Sequence, residues 1–213
     1  MIVEAPSVDG FVIVRHGETE WSSVGRHTGT TDVALTEAGT VEAMSVGAVL
    51  WDELGIDEPV AVFTSPRRRA RDTARLALDT ADPAIVTDFL AEVDYGEYEG
   101  LTAVEIAERN PAWNIWRDGC PGGESPTDVL DRVAGFVALA EAAAHGQPGG
   151  WVIAFTHGHF SRALVVSLLG FPLSAAGALI NDTASTAVVR RRRGAYVLTA
   201  WNVRPQGAAR RPH

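Results

Sequence analysis

Cysteine is almost missing from this chain. Cys120 is alone among 213 residues, which excludes an internal disulfide framework and a cysteine-only metal site and fits a reducing compartment. Long apolar runs are also missing. No stretch approaches the roughly 20 residues that span a bilayer, and Met1 to Gly10 has neither a basic start nor an apolar signal core, so a cytoplasmic location without a membrane is expected. Nor is there a basic excess. The net charge is -9 and the pI near 5.1, which works against a nucleic-acid partner, since such partners are drawn by a broad basic surface. What remains is globular composition, 46% apolar and 21% charged, sufficient for one core.

The apolar patterning predicts an α/β fold. Gly10 to Val14, Val60 to Thr64, Ala84 to Thr87 and Trp151 to Thr156 are compact, rich in β-branched residues and bounded by turn formers, as buried strands are. Helical spacing separates them: Val41, Met44, Ala48 and Trp51 within Glu37 to Leu54, and later Val129, Val133, Phe136, Val137 and Ala140. Both sets are expected to be core stripes. Ser65-Pro66 and Ser125-Pro126 match an N-cap followed by proline, and Thr102 with Glu105 matches a capping box. Ala184 to Val189 and Ala195 to Trp201 predict a closing hairpin, with Arg190 to Arg193 as its solvated turn. The expected architecture is a three-layer α/β/α sandwich around a mostly parallel sheet. It occupies one domain over 1–203, with a loose tail over 204–213.

Four segments fall at strand ends or in loops facing them: Arg15-His16-Gly17, Thr64-Ser65-Pro66 running into Arg69, Leu90-Ala91-Glu92 with Tyr95-Gly96, and Thr156-His157-Gly158-His159. Ligands of open α/β sheets bind in that crevice. Two histidines, two arginines and a carboxylate are the groups needed to attack phosphorus, hold its nonbridging oxygens and move a proton to the leaving oxygen. His157 and His159 lack other donors at ligand spacing, so no metal is expected. Cys120 has no activating base nearby in sequence, which favours a packed thiol.

The order and spacing of these segments resemble the histidine phosphatase superfamily, also called phosphoglycerate mutase-like. Beside Arg15-His16-Gly17 stand Gly29, Leu35-Thr36-Glu37-Ala38-Gly39, Ser65-Pro66-Arg67-Arg68-Arg69-Ala70, Glu92 through Leu101, Pro121-Gly122-Gly123-Glu124-Ser125 and His157-Gly158. The resemblance implies that His16 is the nucleophile that becomes phosphorylated and Glu92 the proton donor. His157 completes the catalytic set, and Arg15 and Arg69 bind the phosphate. Arg67 and Arg68 compete with Arg69, which alone directly precedes Ala70; Glu97 and Glu99 compete with Glu92 and are expected to be loop or surface charges. Ser22, Thr28, Gly29, Tyr95 and Arg162 are the expected substrate contacts, with Arg162 equally open to a surface salt bridge. Trp113 and Trp116 either wall the pocket or pack a short helix.

Mutases resembling this chain carry a lysine soon after the glycine-leucine pair and an arginine pair further on. Here Gly100-Leu101 is followed by Thr102-Ala103-Val104, and those partners are absent. Trp21-Ser22, Thr28-Gly29, the 113–120 segment and His157-Gly158-His159 with Arg162 are more similar to the hydrolytic branch, which includes fungal sedoheptulose bisphosphatase and actinobacterial acid phosphatases. The expected activity is therefore hydrolysis of a small phosphorylated metabolite, sugar phosphates or bisphosphates among the candidates. It needs no cofactor and leaves a homodimer open. Phosphoglycerate mutase activity and a non-catalytic module that binds a phosphorylated ligand are the competing readings.

Overall fold

The computed structural model describes residues 8–56, 59–80, 84–145 and 150–204; the expected tail lies outside them from residue 205 onward. Strand β1 (Gly10–Arg15) is followed by α1 (Glu20–Ser23), α2 (Glu37–Ala48), β2 (Ala61–Thr64), α3 (Arg68–Leu78) and β3 (Ile85–Val86). Then come α4 (Ala103–Arg109), α5 (Ile115–Asp118), α6 (Pro126–Ala143), β4 (Trp151–Thr156), α7 (Gly158–Leu168), β5 (Thr186–Arg192) and β6 (Ala195–Val203). The sheet order is β3-β2-β4-β1-β5-β6. Pairings among β3, β2, β4 and β1 are parallel, while β5 and β6 close the sheet as an antiparallel hairpin. The mostly parallel α/β sandwich is thus as expected.

Strand alternation sends neighbouring residues to opposite layers. Phe11 and Ile13 of β1 join Val152 and Ala154 of β4, with Phe136 of α6 and Leu164 of α7, on one face. Val12, Val14, Ile153 and Phe155 meet Val46 of α2 and Ala74 of α3 on the other. Both layers are therefore fixed by the same two central strands. Each fully buried valine or phenylalanine there stabilises the fold by about 1.5–3 kcal/mol. Among the described residues no helix is long and apolar enough to cross a membrane.

The stripe expected on α6 is found: Val129, Val133, Phe136 and Ala140 are buried. Ser125 caps that helix with Pro126 in its first turn, and the Thr102–Glu105 capping box opens α4. The stripe expected on α2 is not. Val41 and Met44 are 64% and 57% exposed, and the buried residues are Gly39, Ala43, Val46 and Gly47. A Cβ on Gly47 would lie 2.5 Å from the Ala77 carbonyl, and one on Gly39 would lie 2.0 Å from that of Glu18. Helix α2 packs through its backbone, so small residues rather than large apolar ones mark its inner face.

Three smaller expectations are also corrected. The segment Ala84 to Thr87, expected as a buried strand, forms only Ile85–Val86 at the edge of the sheet, where these side chains are 54% and 49% exposed. Ser65 is not the N-cap of α3: its hydroxyl accepts from Arg67 N at 3.2 Å and lies 2.7 Å from His157 Nε2, but the helix starts only at Arg68, whose N–H is capped from outside by Asp32 Oδ1 at 2.7 Å. The run Arg190 to Arg193 is not simply a solvated turn. Arg190 lies over Trp151 and Arg191 over Tyr196, and only Arg193 and Gly194 form the turn, both with positive φ.

Candidate active site

Strands β1 and β4 lie side by side and parallel with Arg15 opposite Thr156, so the next residue of each, His16 and His157, leaves the sheet at the same edge. Their rings are 5.1 Å apart at 61°, and the His16 N–H donates to the Thr156 carbonyl at 3.0 Å. Strand β2, paired to the far side of β4, delivers Ser65, whose Oγ is 2.7 Å from His157 Nε2. The segment after β3 brings Glu92 to a cleft that Arg15 and His16 also line.

His16 is 4% exposed. Its Nδ1 is 2.7 Å from the Gly17 carbonyl. A carbonyl only accepts, so Nδ1 carries the hydrogen and Nε2 keeps its lone pair. Burial pushes the imidazole well below its usual pKa, with Arg69 and then Arg15 adding to the effect. The ring is therefore neutral and available as a nucleophile. His157 is fully buried and likewise depressed, by burial first and then by Arg69. Its Nδ1 accepts from Arg69 Nε at 3.2 Å, which leaves Nε2–H to donate to Ser65.

Arg69 and His157 form the floor beneath the cleft and are absent from its lining. Arg69 is fully buried and donates to the carbonyls of Thr31 (2.9 Å), Thr28 (2.8 Å) and Gly29 (3.3 Å). Those carbonyls are held in turn by Glu99, whose carboxylate accepts from the N–H groups of Gly29 (2.9 Å) and Thr31 (3.0 Å). Glu99 is thus no loose surface charge, as the sequence led us to expect, but the clasp of the loop that seats Arg69. Gly29, expected to touch substrate, belongs to this clasp: a Cβ there would lie 2.3 Å from the Val93 carbonyl.

Arg15 lies across the first turn of α7, where Gly158 gives it room. Its Nη1 donates to the Asn181 carbonyl, while its buried Nε has no hydrogen-bond partner and is an unspent donor beside the nucleophile. The chain contains no lysine, so every side-chain cation at the site is a guanidinium, whose fork suits phosphate oxygens. Glu92 is 8% exposed. It accepts from Val93 N (3.0 Å) and Phe160 N (2.9 Å) on Oε1 and from His159 N (3.0 Å) on Oε2. Oε2 therefore retains a lone pair for a transferable proton. Arg132 braces this segment, pairing with Glu124 and donating to the Ala91 carbonyl at 2.8 Å.

The cleft measures about 150 Å³ and is lined further by Ser22, Thr28, Tyr95 and Arg162, four of the residues named from the sequence as substrate contacts, and by Arg26, His27 and His159. Sequence spacing singles out neither Arg26 nor His27, since a loop carries them and no periodicity marks which side chains turn inward. The Ser22 and Thr28 hydroxyls are engaged locally, with the Thr19 and Arg26 carbonyls respectively. Arg162 donates from Nε to the Gly158 carbonyl and stands 5.1 Å over Trp116. Trp113 and Trp116 are buttresses behind this wall: Trp116 packs 5.3 Å from His159, and Trp113 Nε1 donates to the Gly119 carbonyl. Cys120 is buried, which pushes its thiol up to about 12 and leaves it inert. Among the described residues no three His, Cys, Asp or Glu side chains are grouped to hold a metal ion.

Neutral buried imidazoles have a cost in acid. His16, His157 and His159 are held well below 6.5, and His27 is lowered too, burial being the largest cause in each. Above pH 6.5 neither the folded nor the unfolded chain protonates them. Below it the unfolded chain takes up protons that the folded one refuses, at about 1.4 kcal/mol per histidine for each pH unit until the folded pKa is reached. Tm is therefore expected to fall steadily from pH 7 to pH 5.5, as followed by circular dichroism. A flat or rising Tm over that interval would contradict the burial of neutral rings.

The family described as "Histidine phosphatase superfamily (branch 1)" matches residues 11–204. An acid phosphatase of Mycobacterium tuberculosis is 45% identical over 177 residues, 83% of this chain and 84% of that protein. Sedoheptulose 1,7-bisphosphatase of Saccharomyces cerevisiae is 36% identical over 173 residues, 71% of this chain and 64% of that one. A solved structure of an open reading frame product from Mycobacterium tuberculosis superposes with a TM-score of 0.84 at 42% identity, covering 92% of this chain and 98% of the other.

Proposed function

The chain belongs to the histidine phosphatase superfamily, branch 1, and acts as a phosphatase on phosphate esters; from that premise we propose that it hydrolyses small phosphate monoesters without a metal, through a phosphohistidine at His16. The observation that carries this reading is the His16 ring itself. Its Nδ1–H is fixed on the Gly17 carbonyl, and its bare Nε2 belongs to a buried neutral imidazole set among guanidiniums.

In the first step Nε2 attacks phosphorus in line and forms the N–P bond while the P–O bond to the alcohol breaks. Glu92 gives its proton to the departing oxygen. Arg15, with Arg69 beneath, offsets the charge spread over the equatorial oxygens, and His157 holds Arg69 in place. In the second step water attacks the phosphohistidine and passes a proton to the Glu92 carboxylate. Inorganic phosphate leaves with Nε2 restored. All these groups come from one chain, so the scheme needs no partner subunit.

The substrates we propose are phosphorylated metabolites, sugar phosphates and bisphosphates included, and the location we propose is the cytoplasm. The mutase reading is weaker, because the lysine expected to grip a phosphoglycerate carboxylate has no counterpart in a chain without lysine. The test is a panel of sugar bisphosphates, phosphoglycerates and a generic aryl phosphate assayed with and without EDTA. Phosphate release is expected to be unchanged by the chelator and to outpace conversion of 3-phosphoglycerate to 2-phosphoglycerate. Loss of turnover in EDTA, or a faster mutase rate, would overturn the reading.

A further inference from the structure

His27 lines the cleft yet has no part in the scheme above. Its position is fixed at every point. Its N–H donates to the Leu101 carbonyl at 2.8 Å, its own carbonyl accepts from Gly100 N at 2.8 Å, and its Nδ1 is 2.9 Å from the Leu101 carbonyl. The ring stands edge-on to Tyr95 at 4.8 Å and stacks on His159 at 5.6 Å and 29°. Nδ1 faces a carbonyl and must carry the hydrogen, so Nε2 is a lone pair. It has no hydrogen-bond partner among the described residues, and burial lowers the pKa of the ring, keeping it neutral.

The cleft is rich in donors, from Arg15, Arg26 and Arg162, and the remaining lone pair of Glu92 Oε2 is taken up by the proton transfer. The Ser22 hydroxyl accepts from Thr19 N and donates to the Thr19 carbonyl, that of Thr28 donates to the Arg26 carbonyl, and that of Tyr95 meets His159 Nδ1 at 2.7 Å. A lone pair repels phosphate and carboxylate oxygens and attracts O–H. Among the described residues the lining includes no Val, Leu, Ile, Met or Phe side chain.

We propose that His27 is a specificity-determining residue whose Nε2 accepts a hydrogen bond from a hydroxyl of the leaving group, so that the cleft selects phosphate esters of polyols over esters of alcohols with no further hydroxyl. The proposal rests on the phosphatase reading of His16 and names the leaving group that reading left open. A site built to bond a hydroxyl discriminates against the analogue without it, because the site's own polar group is then left unpaired.

Glycerol 2-phosphate and isopropyl phosphate differ only in the two hydroxyls, and the ratio of their kcat/KM values is the readout. In the wild-type chain the ratio is expected to favour glycerol 2-phosphate about tenfold or more. His27→Phe keeps a ring against Tyr95 and His159 but removes the acceptor, and is expected to lower the ratio about fivefold to tenfold. A ratio near one in the wild type, or one unmoved by His27→Phe, overturns the proposal; the wild-type measurement decides alone if the variant does not fold. His16→Ala, assayed on both esters, separates the two readings. If it still turns them over, the phosphohistidine scheme fails. If it is dead while His27→Phe leaves the ratio unmoved, only the specificity proposal fails.

Discussion

His16→Ala is expected to lower kcat/KM on a chromogenic phosphate ester by about a thousandfold or more, the scale seen when a covalent nucleophile is removed. His16 is the imidazole at the site that combines a free lone pair with both Arg69 and Arg15 as neighbouring charges; His27 faces Arg162 instead. His157 spends both nitrogens, on Arg69 and Ser65, and Cys120 is held as a thiol. Folding should survive, since the His16 side chain contributes a single hydrogen bond, to the Gly17 carbonyl. The loss of rate should therefore come with an unchanged circular dichroism spectrum at pH 7. Rapid quench with a phosphate-labelled substrate should trap an acid-labile, base-stable adduct on the parent and none on the variant. Parent-like hydrolysis by His16→Ala would end the covalent scheme.

Arg69→Ala should damage both stability and catalysis. The guanidinium is wholly buried, and its removal strands the carbonyls of Thr28, Gly29 and Thr31 together with His157 Nδ1. Orphaned buried polar groups cost about 1–3 kcal/mol each before relaxation, so a net loss of about 3–5 kcal/mol is expected, or roughly 10 °C in Tm for a chain of this size. Loss of one preorganised donor set adds a fall of about a hundredfold in kcat. Arg69→Lys should rescue little of either, because an ammonium cannot reach three carbonyls and an imidazole from one plane. Thermal melts with initial rates on the same preparations check both halves. A variant that melts like the parent would show that the Arg69 floor is dispensable.

The central strands, the Thr102–Glu105 capping box and the α6 stripe were legible in the sequence because each is written in local chemistry: alternation, a hydroxyl ahead of a carboxylate, a turn former; the burial of β3 was not, since Ile85 and Val86 look like core residues but lie at the sheet's edge. The chemical groups were legible because strand ends announce them. The inner face of α2 was not, since Gly39 and Gly47 act by letting backbones meet, and hydropathy is blind to that. The work of Glu99 was equally hidden. Nothing in Glu97-Tyr98-Glu99 says which carboxylate will find the N–H groups of Gly29 and Thr31, because that choice depends on two loops distant in sequence. His27 escaped notice for the same reason, its inward turn being set by Leu101.

The position of β1 has a consequence for how the molecule is made. It lies between β4 and β5, paired with residues 151–156 and 186–190, so a nascent chain exposes this apolar strand long before either neighbour has been synthesised. Bringing together segments so far apart is slow, because the entropy of closing the intervening loop is spent before any contact rewards it. Until then both margins of the strand are open templates for aggregation, and the reactive imidazole has no partner across from it. Enzymatic competence is thus among the last things this polypeptide acquires, and regain of turnover after denaturation reports the closing of the sheet's centre.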